Sequence, residues 1–137
     1  MNRKIKFKTK RLRVRLPEND DFDFLKSLWE NGKVMKYVGF PDGLKQEDEK
    51  IYNWIERSDS KKIQRYIIEL KKNSQPIGET GYRLDIDYKH ANGRKVAAPD
   101  IKLAPQYWGK GYGNEALEAL IGYIFEDDSI DAIQVSP

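Results

Sequence analysis

Between Trp108 and Asn114 the chain reads WGKGYGN, with glycine at 109, 111 and 113, directly ahead of an apolar-periodic run. Glycine gives up more backbone freedom on folding than any other residue. Three at alternate positions therefore mark backbone that must take positive φ or be approached closely. The residues just upstream, VAAPDIKLAP (96–105), read as a strand. Those downstream, 114–125, put Ala116, Leu117, Leu120, Ile121 and Ile124 on one helical face. A strand, a glycine turn and a helix in succession aim free backbone N–H groups and a helix dipole at an anion. The chemistry implied is binding of a phosphate or pyrophosphate, with Lys110 adding charge; a glycine-rich connection without a ligand fits the glycines equally. The spacing is G-x-G-x-G, which is neither the G-x-G-x-x-G of dinucleotide folds nor a P-loop ending in G-K-[ST].

The rest of the chain must build one core around this turn. With 137 residues and 39% hydrophobic content, the expectation is a single domain over 1–137. Cysteine is absent, which removes disulfides, thiolate metal sites and cysteine nucleophiles, and is compatible with a reducing cytoplasm. No apolar run approaches the ~20 residues of a membrane span, and the start lacks the apolar segment of a signal peptide. Residues 1–15 carry eight of the 25 basic residues and no acid.

Strands and helices alternate along the chain. The segment 5–16, IKFKTKRLRVRL, reads as one or two strands with a basic outer face, closed by Pro17. Asp20 or Asp21 then caps a helix with Phe24, Leu25, Leu28 and Trp29 at helical spacing and Gly32 as its stop. The stretch 34–45 reads as irregular. A second helix follows through QEDEKIYNWIER (46–57), acidic at its start and apolar at Ile51, Trp54 and Ile55. In the middle of the chain, 64–72 alternates at Tyr66, Ile68 and Leu70. The segment 76–88 is a long strand whose Gly78 and Gly81 imply a bulge or a close neighbour. Asn92-Gly93 is a hairpin signal, so the strand containing Pro99 returns antiparallel. Pro99 cannot donate to a ladder, and marks a bulge, an edge or a place where pairing stops. A last strand is expected in 130–137.

At the glycine turn the sequence resembles a known family. Gln106-Tyr107-Trp108-Gly109-Lys110-Gly111 matches the Q/R-x-x-G-x-G/A signature of the GNAT N-acetyltransferases. Tyr112 to Leu117, the opening Thr9 to Arg15 and the stretch Pro76 to Gly81 are similar to the branch that acetylates ribosomal-protein N-termini. The element order fits as well, and the resemblance spans nearly the whole chain. It implies an α/β GNAT fold, a mixed and mostly antiparallel sheet flanked by helices. The family continues past the last strand with a further helix and hairpin, whereas this sequence stops at Pro137.

The resemblance also implies acetyl-CoA as donor and a primary amine as acceptor: a protein N-terminus, a polyamine, an aminoglycoside or another small amine. The cofactor's pyrophosphate would lie on the backbone of Gly109, Lys110, Gly111, Tyr112, Gly113 and Asn114. Its pantetheine arm would run along Ile101, Lys102 and Leu103, with a bulge at Pro99 splaying that strand from the next. Direct transfer to an amine requires a base, since an ammonium is no nucleophile. Asp100 is the first candidate and Glu79 the second, with the Leu103 N–H as an oxyanion donor.

Three other outcomes stay open at this stage. They are a non-catalytic acyl-CoA-binding domain, an RNA- or ribosome-binding module using the basic strand, and a homodimer formed through an unpaired last strand. His90, the only histidine, reads as a hairpin-tip residue, and no metal site is expected. Trp29 and Trp54 read as core, and Trp108 as packing beneath the turn.

Overall fold

The computed structural model describes residues 4–87 and 93–135. The basic opening segment breaks into two strands, β1 (Ile5–Lys8) and β2 (Leu12–Arg15), paired as a hairpin. The chain then passes through α1 (Phe22–Glu30), the short α2 (Gly32–Met35) and α3 (Asp48–Glu56). Strands β3 (Ile63–Leu70), β4 (Pro76–Asp87) and β5 (Arg94–Leu103) follow, then α4 (Tyr112–Phe125) and β6 (Ala132–Ile133).

The six strands form one sheet in sequence order, antiparallel throughout except for the parallel β5–β6 pair. The hairpin between β4 and β5 pairs Asp87 with Arg94, as the Asn92-Gly93 signal anticipates; Asn92 and His90 lie outside the described residues. One face carries α4, where Leu12, Val14, Tyr66, Ile68 and Leu103 pack with Ala116, Leu120 and Ile124. The other carries α1 and α3, where Ile67 meets Leu25, Leu28, Trp29, Ile51 and Ile55. Because both faces of β3 are covered, Tyr66 through Leu70 are all buried, not only the alternate residues that the pattern picks out.

Several local expectations are corrected. Gly32 does not simply end α1: Asn31 intervenes, its side chain accepting from the Lys33 N–H at 2.9 Å, and Gly32 opens α2. A Cβ at Gly32 would meet the Pro41 carbonyl oxygen at 2.3 Å, so close packing explains the glycine. The stretch after it is thus partly helical. Asp21 makes no side-chain cap on α1; its carboxylate accepts two bonds from Arg15, at 2.8 and 2.9 Å.

The basic outer face holds only for the first half of the segment, where Lys8 and Lys10 are exposed; β2 turns its arginines inward. Arg15 is 1% exposed and also donates to Glu69 at 2.5 Å, while Arg13 reaches the other Glu69 oxygen at 2.7 Å. A buried guanidinium is tolerated only with such partners, and the pairing uses up charge that a nucleic acid would need. The last strand is two residues long, shorter than the apolar pattern of 130–137 indicates.

Pro99 carries no bulge. The β4–β5 register runs without a shift through Tyr82 opposite Pro99 to Gly78 opposite Leu103. The close approach at Gly78 is real: a Cβ there would lie 2.2 Å from the Lys102 carbonyl oxygen.

Candidate active site

The turn before α4 is built on two of its three glycines. Gly109 and Gly111 sit at φ +74° and +84°, a region costly for any residue with a Cβ. Gly113 lies within the first helical turn and has ordinary φ, so the positive-φ argument does not extend to it. Gly111 is the N-cap residue, and the first intrahelical bond runs from the Glu115 N–H to its carbonyl. The N–H groups of Tyr112, Gly113 and Asn114 are therefore the orphan donors of the first turn. Lys110 is exposed beside them, and the space around the missing Cβ of Gly109 is open. Bare backbone, orphan donors, a helix dipole and a lysine together fit a pyrophosphate.

A clamp that sequence reasoning missed holds this turn. The Arg11 guanidinium donates to the Lys110 carbonyl at 3.1 Å and to Glu115 at 2.7 Å, and lies 4.2 Å over the Tyr112 ring. Glu115 also accepts from the Arg11 N–H and the Thr9 hydroxyl. These bonds hold the Glu115 carboxyl below its ordinary range even though burial pushes it up. No local pattern links residues 104 positions apart.

Next to the turn, β5 has a free edge. The carbonyls of Lys95 and Ala97 accept from β6's side of the sheet, from Asp131 and Gln134. Backbone groups alternate along a strand, so those of Pro99, Ile101 and Leu103 face the same way. The β5–β6 pairing nevertheless ends at Ala97 and Ile133. Pro99, with no N–H, is the next residue in that row, so pairing stops at a residue that cannot donate. Beyond it the Ile101 backbone is open to an extended ligand. At Leu103 the carbonyl is already taken by the Trp108 indole, at 2.9 Å. Trp108 thus folds back on the end of β5 while its ring remains partly exposed.

On the α1–α3 face, a cavity of about 600 Å³ opens over β3, β4 and β5. Gly81, which lines it, bears no side chain between Arg65 on β3 and Asp100 on β5, its two register partners. The neighbouring row is Ile67, Glu79 and Lys102. Glu79 is 6% exposed, and its Oε2 accepts from the Trp29 indole at 2.6 Å. Its Oε1 lies 3.9 Å from the Lys102 ammonium. Burial pushes the Glu79 carboxyl above its ordinary range, against the pull of Lys102 and Trp29. Burial works against the Lys102 charge as well, but Glu79 and Asp100 outweigh it. Asp100 is 58% exposed and paired with Lys102. The fold therefore brings Glu79, Asp100 and Lys102 together and sets them beside the Ile101 edge. Trp54 is half-buried at the cavity wall, edge-on to Trp29, and not simply core.

Residues 11–136 match the family model described as an acetyltransferase (GNAT) domain. The chain belongs to the GNAT acetyltransferase family. Over 129 residues this GNAT domain is 32% identical to an uncharacterized N-acetyltransferase, p20, of Bacillus licheniformis, covering 92% of this chain and 69% of that one. Over 130 residues it is 28% identical to the uncharacterized protein YkkB of Bacillus subtilis (strain 168), covering 93% and 72%. A GNAT-family acetyltransferase from Bacillus anthracis superposes with a TM-score of 0.72 at 22% identity, over 93% of this chain and 70% of that structure. The spermidine N-acetyltransferase from Vibrio cholerae in complex with CoA and spermine gives 0.71 at 21% identity, over 90% and 69%. At those identities the structures establish the fold: α/β, with a mixed, mostly antiparallel sheet between helices. Among the described residues no helix is long and apolar enough to cross a membrane, and no three His, Asp or Glu residues converge on a metal site.

Proposed function

We propose that this GNAT domain moves the acetyl group of acetyl-CoA directly to a primary amine, with Glu79 as the base. The observation that carries the reading is the juxtaposition of the glycine turn, the free edge of β5 and the cavity holding Glu79. The donor supplies an activated thioester. The N–H groups of Tyr112, Gly113 and Asn114, with Gly109, Lys110 and Gly111, bind its pyrophosphate, and the Ile101 backbone aligns its extended arm. Lys102 and Leu103 flank that path, the Leu103 N–H serving as oxyanion donor.

An incoming ammonium must lose a proton before its nitrogen can attack. Glu79 lines the cavity, held by Trp29 through one oxygen and with the other 3.9 Å from the Lys102 ammonium. Its raised pKa brings it nearer to neutrality, which favours general-base work. Asp100, exposed and tied to Lys102, takes the lesser role of attracting the cationic amine. This reverses the order that strand position alone recommends.

The resemblance of the opening strand and turn to the ribosomal-protein-acetylating branch makes a protein N-terminus one acceptor to test beside small amines. A homodimer through the β6 edge belongs to the same proposal, and sedimentation of the free protein tests it.

The deciding experiment is calorimetric titration of acetyl-CoA into the protein and its Gly111→Glu variant, followed by release of CoA thiol with an amine panel. Binding by the wild type, loss in the variant and amine-dependent thiol release are the expected results. Binding without consumption would leave an acyl-CoA-binding domain. No binding by a folded wild type would remove the reading.

A further inference from the structure

The cavity in front of Glu79 carries more positive than negative charge. Lys50, Arg65, Arg83 and Lys102 line it against Glu79 and Asp100. Lys102 is engaged by both acids, and Arg83 lies 3.3 Å from Asp85. Arg65 differs from these. Its side chain is half-buried in the cavity, with no hydrogen bond or ion pair to any described residue. Its guanidinium carbon lies 5.4 Å over the Trp54 ring, a contact that uses none of its N–H donors. Burial lowers the Arg65 pKa, and nearby Glu79 only partly offsets it. A half-buried guanidinium without a side-chain partner among the described residues, lining a cavity, is organised for an oxyanion, which it can grip bidentately.

Geometry sets how far that oxyanion lies from the reacting nitrogen. Arg65 stands opposite Gly81, and Glu79 is two residues along the same strand face. Diagonal neighbours on one face are about 7–8 Å apart, a gap spanned by an amine and an anionic group separated by a few bonds.

We propose that the acceptor is a small amine carrying a carboxylate or phosphoryl group, its anion held by Arg65 and its nitrogen presented to Glu79. This inference rests on the acetyl transfer proposed above and selects among its acceptors. A polyamine would bring two or more further cations into a cavity already rich in them.

The test titrates matched pairs into the protein, with and without saturating coenzyme A. The pairs are phosphoethanolamine against ethanolamine and β-alanine against β-alaninamide, with spermidine as a fifth probe. The anionic member should bind roughly 10- to 100-fold tighter, the range of a charge-assisted hydrogen bond. The stronger of the two anionic probes tells phosphoryl from carboxylate. Arg65→Ala should collapse that ratio, and Arg65→Lys should restore part of it. Circular dichroism checks that both variants remain folded.

Equal binding within each pair, preference for spermidine, binding by none of the probes, or an unchanged ratio in Arg65→Ala would overturn the proposal. Acetyl-CoA binding and thiol release, read separately, report on the transfer reaction. A protein that consumes acetyl-CoA but ignores the anion refutes only this inference. One that binds no acetyl-CoA still yields the Arg65 ratio in the titrations without coenzyme.

Discussion

Glu79 shows how one position is tuned by partners distant in sequence. Its carboxylate is buried, held by an indole 50 residues away and faced by a lysine on the adjacent strand. Glu79→Gln should preserve the Trp29 bond while removing the proposed base. We expect kcat to fall by about 10²- to 10⁴-fold, with the rise of rate with pH abolished in a stopped assay across the acid limb. The same substitution should raise Tm at neutral pH. A carboxyl whose folded pKa is raised favours folding below its unfolded pKa, and that contribution disappears as pH rises through the folded value. Asp100→Asn should cost much less, because its partner Lys102 keeps Glu79 as a neighbour. In the sequence both read as strand carboxylates, and strand position ranks Asp100 first. Burial reverses that order.

At the scale of elements, the turn and α4 show which glycines are required. Gly111→Ala should weaken acetyl-CoA binding and strain the N-cap, since alanine at φ +84° is unfavourable and its Cβ would press on the Arg11 guanidinium at 3.3 Å. Gly122 is the opposite case. It lies exposed inside α4 with nothing within 4 Å of a built Cβ, so Gly122→Ala should stabilise the protein by about 0.5–1 kcal/mol in urea unfolding. Helix positions and the strand–turn–helix unit were legible in the sequence, because periodicity and glycine act over a few residues. The divergence of β5 from β6 was legible only in part. Pro99 announced that pairing stops, but a bulge and a simple loss of the donor leave the same mark in the sequence. The register of β4 against β5 decides for the latter.

Across the whole molecule, the buried Arg15–Glu69–Asp21 group ties β2, β3 and the approach to α1 together. Hydrogen bonds from Arg15 and Arg13 outweigh burial and hold the Glu69 carboxyl below its ordinary range. A lowered folded pKa gives stability that is present above the unfolded value and lost as pH falls through the folded one. Urea midpoints should therefore decline on acidification below about pH 4.5. Glu69→Ala should cost about 3 kcal/mol at neutral pH and flatten that decline, because it leaves a nearly dry guanidinium short of a partner.

By itself the sequence determined the run of strands and helices, apart from α2, together with the positive-φ turn ahead of α4, and its resemblance pointed to the family. The elements and the turn rest on spacing and φ preference within short windows, and the family on the resemblance of quoted motifs. Tertiary structure alone decided which arginines are spent inside the protein and which one is left facing the cavity. It also decided which carboxylate is desolvated and what braces the turn. Those properties come from pairings such as Arg11 with Glu115 and Trp29 with Glu79, made across 104 and 50 residues. Burial and electrostatic partnership depend on what the folded chain brings alongside, and no local pattern encodes that.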